Sequence, residues 1–201
     1  MLISRRGLTA GIGLSLAAPH VLAAELTPRQ TEGPYYPLTR PADQDWDLTR
    51  LPGRSARAEG QVIEVTGRVL DIQGRPVARA KLDLWQANSR GRYMHPGDGG
   101  NSAPLDPNFQ GSAVILADAQ GRYRFRTIKP APYSGRTSHI HFMISGRGRP
   151  LTTQMYFPGE PLNARDGILR GSGAEARALI ALAQPRTADG ALAYAWDVRL
   201  A

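Results

Sequence analysis

The sequence predicts an all-β protein, an antiparallel β-sandwich with an extended N-terminal arm and one short C-terminal helix. Three observations lead to this prediction. Apolar and polar residues alternate over short segments, as in residues 122–126. Turns that contain Gly or Pro, such as residues 71–76 and 118–121, separate these segments. Only residues 174–183 have the composition of a helix, and short strands with so little helix are typical of a sandwich.

The N-terminus predicts export. Residues 1–24 combine Arg5 and Arg6 with a mild apolar stretch and the small residues Ala23 and Ala24, the layout of a removable signal peptide. The adjacent arginines resemble a twin-arginine signal, which exports folded proteins, although they also occur in ordinary export signals. We therefore expect a periplasmic or secreted protein that leaves the cytoplasm already folded.

The remaining chain divides into an arm and a single domain. Residues 25–60 are rich in Pro, Arg and Asp with little periodicity, and we interpret them as an arm that wraps on the domain. The domain then spans residues 61–201. Its first strands are predicted at residues 62–69 and 80–84, joined by the turn at residues 71–76 as an antiparallel pair.

The later strands follow the same pattern. Strict alternation over residues 122–126 places Tyr123 and Phe125 inward and three arginines outward. Further strands are predicted at residues 138–144 and 152–157, the helix at residues 174–183 and a last strand at residues 191–200.

The composition excludes several classes of function. The sequence has no cysteine, which excludes disulfides, thiolate-bound zinc, iron–sulfur clusters and attached haem, so any metal must bind through nitrogen and oxygen. The formal net charge is +8, but the arginines are scattered and do not form a tract, so we predict no nucleic-acid partner. We also predict no membrane association once the signal is removed.

A pair of histidines is the first candidate for chemistry. The strand period of two places His139 and His141 on one face, and Ile140, Phe142 and Ile144 on the other. The two Cα atoms would lie ~7 Å apart, close enough for both imidazoles to reach one metal ion. The pair alone is also compatible with a solvent-exposed sheet face that binds no metal, because two histidines also occur at this spacing by chance.

Several motifs in a fixed order then resemble the intradiol ring-cleavage dioxygenases, the family of catechol and protocatechuate dioxygenases. The resemblance covers nearly the whole chain after the predicted signal. The matching segments are Thr31-Glu32-Gly33-Pro34-Tyr35-Tyr36-Pro37, Gly91-Arg92-Tyr93, Pro132-Tyr133, Arg136, His139-Ile140-His141-Phe142 and Thr153-Gln154-Met155-Tyr156-Phe157.

The resemblance implies one Fe(III) per chain as cofactor. Its ligands would be two tyrosinates, Tyr93 and Tyr133, together with His139 and His141. Binding to a hard trivalent cation would ionise phenols that titrate near pH 10 in water. Tyr133 would also act in catalysis, because it would leave the metal when substrate binds and accept a proton.

The same resemblance implies further roles around the metal. Arg136 would lie beside the substrate and stabilise negative charge on its ring, and Gln154 would hydrogen-bond the metal-bound oxygen or the substrate. Gly33, Pro34 and Tyr36 would contact the substrate from the arm. Strand alternation alone leaves open which way Gln154 faces.

The implied reaction is the insertion of both atoms of O₂ into a catechol-type substrate. The ring is cleaved between the two hydroxylated carbons to give a muconate-type diacid. The expected partners are therefore a small aromatic diol and O₂, with a homo-oligomer as one possible assembly. One departure leaves the substrate open: only residues 134–138 separate Tyr133 from His139, which is short for this family, and no tryptophan follows Tyr133.

Two other classes of function are compatible with parts of the pattern. One is a non-catalytic, transthyretin-like or carbohydrate-binding sandwich, which would need neither a metal nor the two tyrosines. The other is a zinc or Fe(II) enzyme that combines His139 and His141 with a carboxylate such as Asp98 or Asp106.

Overall fold

The computed structural model describes residues 25–41 and 45–201, so the predicted signal peptide, residues 1–24, lies outside the described residues. Within them, strands form two stacked sheets, and the predicted β-sandwich is confirmed. The strands are β1 (Val62–Asp71), β2 (Lys81–Trp85), β3 (Ser112–Leu116), β4 (Arg122–Ile128), β5 (His139–Ser145), β6 (Leu151–Tyr156), β7 (Leu182–Gln184), β8 (Leu192–Ala195) and β9 (Val198–Leu200). One short α-helix, α1 (Gly167–Gly171), and 3₁₀ helices at Pro96–Asp98, Pro161–Ala164 and Gly173–Leu179 complete the elements of the described chain.

The two sheets have the strand orders β4-β1-β8-β7, with β9 also paired to β1, and β3-β2-β5-β6. The second sheet is antiparallel throughout. In the first sheet β1 runs parallel to β8 and to β9, which departs from the predicted antiparallel pairing. A parallel pair requires a long connection, and more than a hundred residues of chain separate β1 from β8.

The predicted pairing of the first two strands is wrong, because β1 and β2 lie in different sheets. After β1 the chain turns at Gly74, which has a φ of 77°, and Val77 then donates its N–H back to the Val69 carbonyl at 2.9 Å. Val77 and Ala80 are buried in the core where the chain crosses to the other layer. Alternation shows which face of a strand is buried but not which strand lies beside it, so the sequence pattern could not detect this crossing.

The C-terminal region also differs from prediction. The helix predicted at residues 174–183 is the 3₁₀ helix Gly173–Leu179, preceded by α1, and its last predicted residues belong to β7. The predicted strand over residues 191–200 is divided into β8 and β9 at Trp196, whose indole N–H donates to the Ala178 carbonyl at 2.9 Å. Strand β3 was not predicted. No helix in the described chain is long and apolar enough to cross a membrane.

The core lies between the sheets and fixes which face of β5 is free for chemistry. Ile140, Phe142 and Ile144 are fully buried in it, as predicted, and so are Tyr123 and Phe125 from β4. Burying a large apolar side chain contributes about 1.5–3 kcal/mol, so this face of β5 is strongly specified. The histidines must then point away from the core.

The arm covers this outer face. It first follows the edge of β6, where the Gln30 N–H donates to the Thr152 carbonyl at 2.9 Å and the Thr153 hydroxyl donates to the Pro28 carbonyl at 2.8 Å. The Gln154 amide donates to the Thr31 carbonyl at 3.1 Å. Side chains on the outer face of β5 and β6 are therefore enclosed between the sheet and the arm.

Candidate active site

The register of the second sheet places the site residues in two rows. Trp85 lies opposite His141, and His141 lies opposite Gln154, so one residue from each of β2, β5 and β6 forms a row across the outer face. His139 lies opposite Tyr156 in the neighbouring row. The Trp85 and His141 rings are stacked, with centroids 5.0 Å apart and an interplanar angle of 12°. The pairing also settles the orientation of Gln154, which faces the same side as both histidines.

Tyr93 reaches the site from the loop after β2, and Asn88 and Asp98 hold that loop. The Asn88 carboxamide oxygen accepts the N–H groups of Arg90 and Arg92, and the Asp98 carboxylate accepts the Tyr93 N–H at 2.8 Å. Gly91 has a φ of 78°, and a Cβ there would lie 2.8 Å from the Pro132 carbonyl oxygen. A glycine at this position therefore lets the Tyr93 loop pack directly on the Tyr133 loop.

Tyr133 and Arg136 are joined by a tight turn. Their backbones exchange both hydrogen bonds, with N···O distances of 3.3 and 2.7 Å. Ser134 and Gly135 between them have φ values of 45° and 76°, the pattern of a type I′ hairpin turn. The short stretch between Tyr133 and His139 is thus a compact hairpin that places the phenol and the guanidinium side by side.

The structure brings together the four side chains predicted as ligands. The Tyr93 and Tyr133 hydroxyl oxygens are 3.1 Å apart, the Tyr133 oxygen lies 3.3 Å from His139 Nε2, and His139 Nε2 lies 3.1 Å from His141 Nε2. Metal–nitrogen and metal–oxygen bonds measure about 2.0–2.2 Å, so donors on adjacent corners of one coordination sphere lie about 3 Å apart. The four donors have the spacing of one ion's ligand set.

The protonation of these groups suits electron-pair donation. His139 Nδ1 lies 2.6 Å from the Thr137 carbonyl oxygen, which can only accept, so Nδ1 carries the proton and Nε2 of the neutral ring presents its lone pair. Burial, reinforced by the Arg136 charge, lowers the pKa of His139 to about 4. Burial, with His139 and Arg136 nearby, also lowers the pKa of His141 well below its usual value. Both imidazoles are therefore neutral.

The tyrosines show the complementary effect. Burial raises the pKa of Tyr93 well above its usual value, and the neighbouring Tyr133 adds to the shift. Burial also raises the pKa of Tyr133. A cation bound by the two phenol oxygens and the two imidazole Nε2 atoms would stabilise the phenolates and take the imidazole lone pairs, so the donor set fits a hard metal ion.

A different ligand set does not form. No group of three or more His, Asp or Glu side chains within residues 25–41 and 45–201 is placed to hold a metal. The carboxylates of Asp98 and Asp106 instead accept backbone N–H groups, from Tyr93 and from Glu59. The zinc or Fe(II) alternative, which required one of these carboxylates beside the two histidines, is not supported.

Arg136 and Gln154 belong to one polar network next to the donors. The Arg136 side chain is 17% exposed; its Nε donates to Asp166 at 2.8 Å, and one Nη donates to Gln154 Oε1 at 2.6 Å and to the Tyr156 hydroxyl at 3.1 Å. The Tyr156 hydroxyl in turn donates to Gln30 Oε1 of the arm at 3.1 Å. The network fixes the guanidinium at the edge of the site.

Two residues of the site escaped the sequence analysis, Asp166 and Trp85. Asp166 is fully buried, accepts N–H groups from Arg136, Thr137, Ile168 and Leu169, and caps the N-terminus of α1. An aspartate before a short helical segment is a sequence signal for such a cap. Trp85 follows Leu82 and Leu84 on the alternate face of β2, so strand periodicity already placed it outside the core.

The predicted arm residues differ in their positions. Gly33 lies against the site, because a Cβ there would be 3.3 Å from His141 Cε1. Pro34 is exposed. The Tyr36 ring packs edge-on against Trp85, but its hydroxyl donates to Asp83 at 2.9 Å, away from the donor cluster. Tyr35, not Tyr36, faces the tyrosines, with its ring centroid 4.7 Å from that of Tyr93.

Comparisons with known proteins agree with this geometry. A family model described as Dioxygenase matches residues 31–201. The chain is 42% identical over 184 residues to the protocatechuate 3,4-dioxygenase beta chain of Burkholderia cepacia, covering 86% of this chain and 78% of that one. It is 31% identical to a catechol 1,2-dioxygenase of Acinetobacter baylyi, covering 70% of this chain and 49% of that enzyme, so it spans about half of the longer relative.

A solved structure has the same fold. The dioxygenase domain of a dioxygenase carbohydrate-binding protein fusion from Streptomyces sp. SirexAA-E superposes with a TM-score of 0.67 at 30% identity. The match covers 88% of this chain and 98% of that domain. The family match over residues 31–201 includes the sandwich and most of the arm.

Proposed function

Because the chain belongs to the intradiol ring-cleavage dioxygenase family, we propose that it binds one ferric ion and cleaves a catechol-type diol between its hydroxylated carbons. The products would be muconate-type diacids that contain both atoms of O₂. The observation that carries the proposal is the convergence of four side chains. In the order Tyr93, Tyr133, His139 and His141, each donor atom lies 3.1–3.3 Å from the next one. A non-catalytic sandwich would not need two phenols and two imidazoles with their donor atoms clustered in this way.

The two phenols and two imidazoles would hold the metal. Ferric iron, when bound, supplies Lewis-acid activation of a chelated diol toward O₂. Two anionic oxygen ligands favour the ferric over the ferrous state, because they match the higher charge. The sheet holds the histidines rigidly, whereas both tyrosines stand on loops.

Tyr133 is the ligand suited to exchange with substrate. It lies on the hairpin turn and is less buried than Tyr93, which is 2% exposed. A cavity of about 500 Å³ lies beside Tyr133, with Tyr35, Pro132 and Ser134 also in its wall, and Tyr133 is the only one of the four donor residues that lines it. When a diol displaces Tyr133 from the metal, the Tyr133 oxygen would accept a proton from the incoming hydroxyl.

Arg136 and Gln154 would act on the bound ring. The guanidinium lies on the same hairpin as Tyr133, and its fixed positive charge would stabilise negative charge that develops on the substrate. Gln154 has its oxygen committed to Arg136 and its amide to Thr31, so it would orient Arg136 and tie the arm to the site. Gly33 would let the arm close over the substrate without a side chain against His141.

The substrate within the catechol class and the cellular location are also proposals. The stretch between Tyr133 and His139 is short and no tryptophan follows Tyr133, so it does not select among ring substituents, and catechol and protocatechuate are the compounds to test first. Export by the twin-arginine route, a homo-oligomeric assembly and the absence of nucleic-acid and membrane partners stay predictions from the sequence.

The test is product analysis under ¹⁸O₂ with iron-loaded protein and catechol or protocatechuate. We expect one O₂ consumed per diol and a diacid that contains two labelled oxygen atoms. A matched pair of variants controls for the metal: His139→Ala should abolish turnover, whereas His95→Ala, at a half-buried loop histidine outside the cluster, should retain it. A product cleaved beside the diol, or no oxygen uptake from a fully iron-loaded protein with any catechol, would refute the proposal.

A further inference from the structure

Gln30 of the arm contacts both the sheet that carries the site and the helix beside it. Its backbone N–H donates to the Thr152 carbonyl at 2.9 Å, which holds the arm on the edge of β6. Its side-chain nitrogen lies 3.3 Å from the Ile168 carbonyl oxygen in α1 and 3.1 Å from the hydroxyl of Ser172, the residue that ends that helix. Its side-chain oxygen lies 3.1 Å from the hydroxyl of Tyr156 on β6. One arm side chain therefore connects α1 to the interior of the site.

These contacts fix which end of the Gln30 amide faces the phenol. A carbonyl oxygen can only accept a hydrogen bond, so the amide nitrogen must face Ile168 and the amide oxygen must face Tyr156. The Tyr156 hydroxyl has a single hydrogen, and Gln30 is an acceptor held in place for it. With that hydrogen bonded to Gln30, the lone pairs of the Tyr156 oxygen remain for a donor.

Arg136 is that donor. One of its Nη atoms donates to the Tyr156 hydroxyl at 3.1 Å and to Gln154 Oε1 at 2.6 Å, and its Nε donates to Asp166 at 2.8 Å. The Tyr156 ring is fully buried and packs in one apolar cluster with Leu169 of α1, so its position is fixed by the core. The hydroxyl hydrogen can still rotate about the C–O bond. Gln30 therefore determines whether a lone pair of Tyr156 points at Arg136.

A competing acceptor shows what the Gln30 contact prevents. Gln154 Oε1 lies 3.0 Å from the Tyr156 hydroxyl and is also within reach of the same hydrogen. Without Gln30, the hydrogen would turn to Gln154, whose oxygen already accepts the N–H of Arg136. The Tyr156 hydrogen would then lie on the side from which Arg136 donates. The guanidinium would lose one of the three partners described above.

We propose that Gln30 is a positioning residue for ring cleavage, which holds the Tyr156 hydroxyl so that Arg136 stays beside the substrate while the arm lies on the sheet. The inference rests on the proposed function, in which Arg136 stabilises negative charge on the bound ring. Gln30 acts through Tyr156 and needs no contact with the substrate. Helix α1 thus anchors Arg136 twice, directly through Asp166 at its N-terminus and through Gln30 from its C-terminal end.

A pair of arm variants tests this role in steady-state kinetics. Gln30→Met keeps the length of the side chain and removes the amide. We expect kcat for catechol to fall about tenfold at unchanged iron content, with KM within about twofold of the wild type, because Arg136 acts in the transition state.

Arg29→Met is the matched control. Arg29 also holds the arm through its side chain, which donates to the Pro150 carbonyl at 2.6 Å, but it is exposed and lies outside the network around Arg136. Its kcat and KM should therefore equal those of the wild type. If the arm hydrogen bonds served only to hold the arm, the two variants would change kcat and KM alike.

Tyr156→Phe tests the route, because it keeps the ring and removes the hydroxyl. It should lower kcat by a similar factor, and adding Gln30→Met to it should cause no further fall. Crystal structures give a readout that needs no turnover: the distance from Arg136 Nη to the Tyr156 oxygen should exceed about 3.5 Å in Gln30→Met and stay near 3.1 Å in Arg29→Met.

The outcomes separate this proposal from the proposed function. An unmoved guanidinium in Gln30→Met, a wild-type kcat in that variant, or an equal fall in kcat with and without Tyr156→Phe would overturn the role of Gln30. A wild-type protein that cleaves no catechol, with the guanidinium displaced in Gln30→Met, would refute ring cleavage and leave the positioning of Arg136 intact.

Discussion

Asp166 allows the most quantitative prediction, because one carboxylate both positions Arg136 and caps α1. Its Oδ2 accepts Arg136 Nε at 2.8 Å and the Thr137 N–H at 2.9 Å, while Oδ1 accepts the Ile168 and Leu169 N–H groups at 3.0 Å. Asparagine keeps the capping oxygen but places an amide against two donors. The change Asp166→Asn therefore isolates the link to Arg136 from the cap.

The magnitude follows from what is lost. A charge-assisted hydrogen bond contributes about 1.5–3 kcal/mol, and an unpaired buried N–H on Thr137 costs about 1–3 kcal/mol. Partial relaxation brings the expected loss to about 3 kcal/mol, which corresponds to a Tm lower by about 6–12 °C for a chain of this size. Because Arg136 loses its anchor, kcat/KM should also fall, by about tenfold or more.

Asp118 provides a matched control. It accepts Arg122 Nε at 2.8 Å and the N–H groups of Gln120 and Arg122, so it also combines an arginine with backbone donors, but its side chain is 41% exposed. Exposed ion pairs contribute little, so Asp118→Asn should change Tm far less and leave turnover intact. Differential scanning calorimetry and steady-state kinetics on both variants test this. The reasoning is refuted if Asp166→Asn costs no more Tm than Asp118→Asn and retains full activity.

Three other perturbations have defined outcomes. Gly33→Ala introduces a Cβ 3.3 Å from His141 at a φ of 74° and should lower kcat/KM about tenfold. Gly53→Ala is the control, because its φ is 76° and its Cβ would have no atom within 4 Å, so it should lower stability only. Equal kcat/KM for the two variants would count against the arm contact. Arg136→Lys replaces separate Nε and Nη donors, which bond Asp166 and Gln154, with a single nitrogen, so kcat/KM should fall about 10–100-fold at near-normal iron content; full activity would contradict the role of Arg136. Burial raises the pKa of the Asp166 carboxyl, but N–H groups of Leu169 and Thr137 and the Arg136 charge outweigh burial and leave that pKa below its usual value. The carboxylate thus stabilises the fold above pH about 4 and loses this contribution at lower pH, so the Tm difference between wild type and Asp166→Asn should shrink on acidification in calorimetric scans; a difference that grows would show the opposite sign.

The parts of the site that sequence could predict rest on short-range geometry. A strand period of two was enough to place His139 and His141 on one face and Ile140, Phe142 and Ile144 in the core. The tyrosines, by contrast, have no periodicity that marks them. They were identified through the order of the motifs, and the structure shows why they meet: Gly91 lets one loop pack on the carbonyl of Pro132 in the other.

What the sequence left open depends on pairing between distant segments. The orientation of Gln154 follows from its register with His141, and the position of Trp85 follows from the same register on the other side. Alternation within β2 shows that Trp85 faces away from the core but not that it lies opposite His141, and alternation within β6 leaves the face of Gln154 open. The sheet change between β1 and β2 was missed for the same reason, since a turn sequence does not state which layer the next strand joins.

The central claim is that two phenolates and two imidazoles hold ferric iron. The most direct measurement is the visible spectrum of iron-loaded protein before and after a catechol is added without O₂. We predict a red-brown tyrosinate-to-iron charge-transfer band that shifts when the catechol binds, weakens in Tyr93→Phe and Tyr133→Phe, and is unchanged in Tyr194→Phe, a buried tyrosine outside the cluster. A colourless protein at full iron content, or a band that survives both ligand substitutions, would contradict the account.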